Sequence, residues 1–232
     1  MLSNETYLIT GTSRGLGFEM AKYVLKNSSS RVVGLSRGAP PSELLSNESY
    51  LHLQLDLSDK AELHHLFGHL KDKGLTPSKL VLNAALQQDK DWEKVFYVNC
   101  IAPLYLIKAS VKEEKPCEIL VVNSIFAWFA DSKHFAYAAS KRALAQSVQA
   151  LRAQSDFRNV NIVQVFLGPL ANEREKSSII FSDKADVAKR LLERSLFAKI
   201  FPFLSIKDWA LHVFFRLSSA HFANQMVNQF RR

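Results

Sequence analysis

Short apolar runs alternate with longer helical patterns along most of this chain, and that rhythm leaves few folds open. Residues 7–10, 31–36, 50–55, 80–83, 118–123 and 161–166 read as strands, rich in aliphatic and β-branched side chains. Between them, 16–26, 61–73, 91–110 and 134–154 carry apolar residues at helical spacing. A strand that must return parallel to its neighbour needs a crossover, and a helix supplies it. The expected architecture is therefore α/β: a doubly wound parallel sheet flanked by helices. A short last strand at 224–230 brings the count to about seven, in a single domain spanning residues 1–232.

Composition closes off several function classes. The net charge of +8 comes from scattered residues, with no Lys/Arg run interleaved with aromatics, so nucleic acid is not an expected partner. A generally positive field also suits a ligand carrying several phosphates. Cys100 and Cys117 lack metal-ligand spacing and read as reduced packing residues, which fits a cytoplasmic protein. The N-terminal residues run directly into the first strand, so no signal or transit peptide is expected. The Phe-rich stretch 195–217 is interrupted by Lys199, Pro202, Lys207 and Asp208, which argues against a bilayer span and leaves peripheral contact only.

Two local patterns carry chemistry. Where the first strand meets the first helix stands Thr10-Gly11-Thr12-Ser13-Arg14-Gly15-Leu16-Gly17. Glycines there permit a tight turn and let the backbone and helix N-terminus approach a pyrophosphate closely. Tyr137 and Lys141 lie four residues apart in Tyr-Ala-Ala-Ser-Lys, on one face of the helix at 134–154. An ammonium beside a phenol favours the phenolate, and such a pair can give or take a proton during carbonyl/alcohol redox chemistry.

Taken with further matches in order along the chain, these motifs resemble the short-chain dehydrogenase/reductase family, from Thr6 to about Phe166 and more weakly beyond. Asp56-Leu57 matches the family's acidic residue at the adenine. Asn83-Ala84 stand where the family usually has Asn-Asn-Ala-Gly beside the adenosine ribose. Asn99 matches the helix asparagine, and Ser124 lies thirteen residues before Tyr137, the family's usual spacing. The resemblance implies a Rossmann-like fold and a catalytic set of Asn99, Ser124, Tyr137 and Lys141. In it Tyr137 is the proton donor, and Lys141 supports the phenolate and holds the nicotinamide ribose. Ser124 hydrogen-bonds the substrate oxygen, and Asn99 holds a water that links Lys141 to solvent. Gly11, Ser13, Arg14, Gly15, Leu16, Gly17, Ser36, Arg37 and Pro169 complete the implied cofactor site. Members that use NAD usually end the second strand with an acid; here it ends Gly34-Leu35-Ser36-Arg37, and Arg14 adds a second cation, so NADP(H) is expected.

The chain also departs from the family pattern. Leu82 and Ala85 replace the first Asn and the Gly of Asn-Asn-Ala-Gly, the segment from Asn83 to Asn99 is short, and Gly168-Pro169 reverses the common Pro-Gly. The Thr that often follows is missing, with Asn172 the nearest candidate. Residues 171–204 are too long for an ordinary connection and read as a substrate lid, with an amphipathic piece at 184–197 whose apolar spacing fits a core helix equally well. A lid of that composition, with Trp128 and Phe129 as aromatic walls, implies a small apolar ketone, aldehyde or alcohol as substrate. The rival expectation is a weakly active or inactive sensor or scaffold that binds a dinucleotide. Relatives commonly form dimers or tetramers through helices such as 91–110 and 134–154, so a homodimer or homotetramer is expected.

Overall fold

The computed structural model describes residues 5–87, 90–112, 118–128, 133–157, 160–171 and 182–193. Six strands form one parallel sheet: β1 (Thr6–Thr10), β2 (Arg31–Ser36), β3 (Tyr50–Gln54), β4 (Lys79–Leu82), β5 (Glu118–Ser124) and β6 (Ile162–Leu167). Their order is β3-β2-β1-β4-β5-β6. Each lies within a residue of its expected bounds. The seventh, expected at 224–230, lies outside the described residues.

Alternation along each strand divides the core into two layers. Leu8, Val33 and Leu80 pack on one face, against Leu63, Leu66 and Leu70 of α3 (Lys60–Asp72), Leu106 and Ile107 of α5 (Ala102–Ser110), and Leu144 and Val148 of α6 (Phe135–Arg152). Their neighbours Ile9, Val32 and Val81 pack on the other, against Met20 and Val24 of α1 (Gly15–Asn27) and Val187 and Leu191 of α7 (Lys184–Glu193). Each fully buried aliphatic side chain contributes roughly 2 kcal/mol. A one-residue slip in any strand would exchange the two sets, so register is strongly specified. Leu8 stands beside Val33 and Leu80, and Ile9 beside Gly34 and Val81.

The connection from 91 to 110 departs from a plain helix. It begins as α4 (Trp92–Phe96), capped by Asp91, whose carboxylate accepts from the Lys94 backbone N–H at 2.9 Å. It then widens into a π-helical turn at Tyr97–Ile101 before continuing as α5. A π turn inserts one residue while leaving the apolar pattern nearly intact, so periodicity alone does not reveal it. The four-residue α2 (Ser42–Leu45) is also absent from the sequence reading; Leu44 is buried and fastens it to the α1 side of the core.

The segment expected to form a lid is partly something else. Its amphipathic piece is α7, whose Val187, Ala188 and Leu191 belong to the core beside α1. The Tyr23 hydroxyl of α1 also donates to Glu193 Oε1. Residues 184–193 are therefore a structural helix, while 172–181 and 194–204 lie outside the described residues. No helix among the described residues is long and apolar enough to cross a membrane.

Between β1 and β4 the strand order reverses. The chain leaves β1 toward one face of the sheet and β4 toward the other, so a crevice opens at the carboxyl ends of these two strands. The glycine turn and the loop after β4 form its walls.

Candidate active site

One cleft of about 1020 Å³ occupies that crevice. Its wall includes every implied cofactor residue: Gly11, Ser13, Arg14, Gly15, Leu16, Ser36, Arg37, Asp56, Leu57, Asn83, Ala84 and Pro169, together with Ser124, Tyr137 and Lys141, all except Gly17. Gly17 lies beneath it, and its role is steric. A Cβ there would stand 2.2 Å from the Gly11 carbonyl oxygen, so α1 could not approach the turn with any larger residue.

The turn is tied to the neighbouring strand. Thr10 Oγ1 accepts from the backbone N–H groups of Asn83 at 2.9 Å and Ala84 at 3.0 Å, and Asn83 Nδ2 donates to the Thr10 carbonyl at 3.1 Å. Ala85, the departure nearest the cofactor site, lines the cleft without strain, because no non-glycine residue among the described ones has positive φ.

These surroundings fit a dinucleotide. Helix α1 opens with Arg14 in extended conformation, without a side-chain cap and without an acidic residue in its first turn. Its first N–H groups therefore face the cleft as an anion site. A Cβ built at Gly15 would meet nothing within 4 Å, so the floor there is open. Arg14 and Arg37 are exposed on the wall, and Lys184 at the start of α7 adds a third cation that the sequence reading missed. Among the lining residues the only carboxylate is Asp56. Its oxygens accept from the Ser58 backbone N–H and hydroxyl, at 2.9 and 2.7 Å, and pair with Lys94 Nζ at 3.1 Å. Partial burial pushes the Asp56 pKa up, but these bonds outweigh it and hold the carboxyl below its ordinary range. The Ser36 hydroxyl donates to the Gly38 carbonyl at 2.7 Å and keeps its acceptor capacity.

At the other end, β5 and α6 bring three reactive side chains together. Ser124 closes β5, oriented by Asn123, whose Oδ1 accepts from the Ser124 N–H at 2.8 Å while its Nδ2 donates to the Lys141 carbonyl at 3.0 Å. Tyr137 lines the same cleft as Ser124, with its ring edge-on to that of Phe126. Lys141 is 3% exposed; its ammonium donates to the Val122 carbonyl at 3.1 Å and lies 5.9 Å from the centre of the Tyr137 ring. Burial governs both acid–base groups. It pushes the Tyr137 phenol up, against hydrogen bonds from Ser124 and Gln87 that pull it down. It pushes Lys141 down to about 8, with the Cys100 thiol acting in the opposite sense. The net shift of the phenol is upward, with desolvation its largest cause.

Asn99 is fully buried in the π turn. Its Oδ1 accepts from the Leu86 N–H at 2.7 Å, and its Nδ2 donates to the Leu86 carbonyl at 2.8 Å and to Ser140 Oγ at 3.0 Å. Ser140 in turn donates to the Tyr137 carbonyl at 2.8 Å. The Asn99 side chain thus ties the loop after β4 to α6. Trp128, expected as an aromatic wall, packs on Phe166 at 5.3 Å between ring centres and lies under the Arg142 guanidinium; Phe126 lines the cleft in its place, edge-on to Tyr137. Phe129, Asn172 and Cys117 lie outside the described residues. Asn123, Ser140 and Lys184 escaped the sequence reading; the Asn123–Lys141 and Ser140–Asn99 bonds join segments remote in the chain.

Residues 5–179 match the short chain dehydrogenase family. An uncharacterized oxidoreductase of Saccharomyces cerevisiae is 31% identical over 187 residues, covering 73% of this chain and 56% of its own length. A short chain dehydrogenase of Aspergillus calidoustus is 32% identical over 117 residues, 46% of this chain and 45% of that protein. The chain thus spans about half the length of these relatives. A solved 4-hydroxyisoleucine dehydrogenase complexed with NADH superposes with a TM-score of 0.64 at 26% identity, over 74% of this chain and 78% of that one. An alcohol dehydrogenase from the archaeon Thermococcus sibiricus, complexed with 5-hydroxy-NADP, shares the fold at a TM-score of 0.72 and 15% identity, covering 82% of this chain and 89% of that one. With the glycine turn, the parallel sheet and the Ser124, Tyr137 and Lys141 cluster in one cleft, the match over 5–179 makes this chain a member of the short-chain dehydrogenase family of oxidoreductases.

Proposed function

We propose that the chain is an NADP(H)-dependent oxidoreductase that interconverts a carbonyl and an alcohol, reducing a small apolar ketone or aldehyde. One observation carries this reading: a single cleft joins Arg14 and Arg37 at one end to Ser124, Tyr137 and Lys141 at the other. A bound nicotinamide supplies or accepts the hydride. In the reductive direction Tyr137 passes its hydroxyl proton to the substrate oxygen, while Ser124 hydrogen-bonds that oxygen as charge develops on it. Lys141, charged on the acid side of about 8, favours the phenolate that remains and holds the nicotinamide ribose. Asn99 contributes by bracing the loop after β4 through its bonds to Leu86 and Ser140.

The solved neighbours include complexes with NADH and with 5-hydroxy-NADP, so the choice of cofactor rests on this chain's own residues. β2 ends in Ser36 and is followed by Arg37, with no acid to repel a 2′-phosphate. The cations Arg14, Arg37 and Lys184 line a cleft whose one carboxylate is already paired with Lys94. Phe126, Leu86 and Leu170 give the reacting end an apolar wall, which supports an apolar substrate.

Fluorescence titration with NADPH and NADH tests the reading. NADPH is expected to bind more tightly, and Arg37→Asp to weaken NADPH by about tenfold to a hundredfold while leaving NADH nearly unchanged, the worth of a charge-assisted hydrogen bond. Tyr137→Phe should keep the cofactor and lose turnover of apolar ketones and aldehydes. Failure of both nucleotides to bind would refute the reading; binding without any Tyr137-dependent turnover would favour a sensor or scaffold.

A further inference from the structure

Gly34 stands inside β2, where a glycine weakens the strand and often marks the close approach of another group. Its backbone does not require glycine, since it is not among the glycines with positive φ. What it supplies is room. A Cβ built there would stand 2.0 Å from the Tyr50 hydroxyl oxygen and 2.5 Å from Thr12 Oγ1. Tyr50 opens β3 opposite Val32, so its side chain leans toward the carboxyl ends of the strands and crosses β2 at Gly34. The hydroxyl ends on Thr12, two residues past β1, and donates to its Oγ1 at 3.0 Å. Both partners are buried, Tyr50 at 8% exposure and Thr12 at 0%.

Thr12 sits at the centre of the glycine turn. Its neighbours on either side, Gly11 and Ser13, line the cleft. Gly11 is fastened to β2 by its N–H, which donates to the Leu35 carbonyl at 2.7 Å. The Tyr50 bond adds a tie one residue further on, just before Ser13 and Arg14. A turn that presents N–H groups to a pyrophosphate must be ordered when the ligand is bound, and a tie made in the free protein lowers that cost. A turn that is only partly in its binding conformation shows an affinity reduced by the same fraction.

We propose that Tyr50 is a positioning residue for the cofactor: reaching through the gap left by Gly34, it anchors Thr12 and holds the phosphate-facing part of the glycine turn ready for the dinucleotide. The role rests on that turn being the dinucleotide site of the proposed function. A bond that served core stability alone would lower the unfolding midpoint and leave cofactor affinity where it was. Because the turn faces the pyrophosphate, which NADPH and NADH share, loss of the tie weakens both nucleotides alike. Arg37→Asp, by contrast, acts on NADPH.

The experiment is fluorescence titration of NADPH and NADH into the full chain as parent, Tyr50→Phe, Thr12→Val and the double variant, with urea unfolding of each. Tyr50→Phe removes one oxygen atom and keeps the buried ring. It is expected to raise the Kd of both nucleotides by roughly threefold to tenfold, the worth of one ordinary hydrogen bond. The double variant should bind no worse than Thr12→Val alone, because both substitutions break the same bond. Thr12→Ser, which keeps the hydroxyl, should bind like the parent. NADPH affinity unchanged in Tyr50→Phe would overturn the proposal even if the urea midpoint falls, and so would losses that multiply in the double variant. If Thr12→Val does not fold, Tyr50→Phe decides alone. A parent that binds neither nucleotide would refute the cofactor reading and this role with it; a parent that binds both, matched by Tyr50→Phe, would refute this role only.

Discussion

Replacing Lys141 by methionine is expected to make the protein more stable and less competent. The ammonium is 3% exposed, its carbonyl partner is neutral, and burial pushes its pKa from the ordinary 10.5 down to about 8. In the unfolded chain the amine keeps its proton up to about 10.5; in the folded protein it releases it near 8. Between these values the unfolded state binds more protons, so this group makes stability rise with pH across the window. Below about 8 the folded protein bears the full cost of the buried charge. The gap of 10.5 less about 8, at about 1.4 kcal/mol per pH unit, corresponds to about 3 kcal/mol. Lys141→Met roughly conserves volume, removes the charge, and forfeits one hydrogen bond worth about 1 kcal/mol. A gain of about 2 kcal/mol should therefore appear in urea unfolding at neutral pH, shrink from about pH 8 upward, and become a loss of about 1 kcal/mol by about pH 10.5. Less stability at neutral pH, or a difference flat with pH, would refute the reasoning.

Asn99→Ala should cost about 2–3 kcal/mol in thermal or urea unfolding, because it strands two main-chain groups of Leu86 and removes the bond to Ser140. Gly34→Ala would bring a Cβ to 2.0 Å from the Tyr50 hydroxyl and 2.5 Å from Thr12 Oγ1, the two ends of a buried 3.0 Å hydrogen bond that props the glycine turn from below. A loss of about 1–3 kcal/mol with weaker NADPH binding is expected. Gly38→Ala, whose Cβ meets nothing within 4 Å, should change stability by less than about 0.5 kcal/mol. Reductive turnover should decline as pH rises through about 8, when Lys141 loses the charge that favours the Tyr137 phenolate; a profile level through that region would contradict the assigned role of Lys141.

What the sequence made legible was placement set by local spacing. Tyr137 and Lys141 are one helical turn apart, Ser124 ends a strand, and the glycines mark a strand-to-helix junction; each follows from the period of its own element. Contacts between segments were not legible. The Asn99 amide meets Leu86 across the loop it helps to shape, and no repeat in the intervening residues encodes that meeting. The π turn at Tyr97–Ile101 leaves the apolar spacing of 91–110 close to that of an ordinary helix. Whether Phe126 or Trp128 faces the cleft is decided by the 3-10 turn at Ile125–Trp128, because two aromatics so close together offer no period from which to choose. Residues 184–193 did read as an amphipathic helix, but an amphipathic stripe says only that something covers it; here the cover is α1.

The two acid–base groups are shifted in opposite directions by one cause, and that is informative about how the site works. Burial disfavours charge on both, so it raises the phenol and lowers the ammonium, and at neutral pH it favours a protonated Tyr137 beside a lysine close to its own titration. A proton donor held protonated is the state from which reduction starts. In the proposed reaction, the charge left after the proton departs falls where water is scarce, so its stabilisation depends on dipoles and charges already in place: the Ser124 hydroxyl and the Lys141 ammonium. The same low dielectric that makes Lys141 costly to fold strengthens its attraction for a phenolate. The instability at Lys141 and the acid–base capacity of Tyr137 are therefore one arrangement measured in two ways, and a substitution that relieves the first is bound to weaken the second.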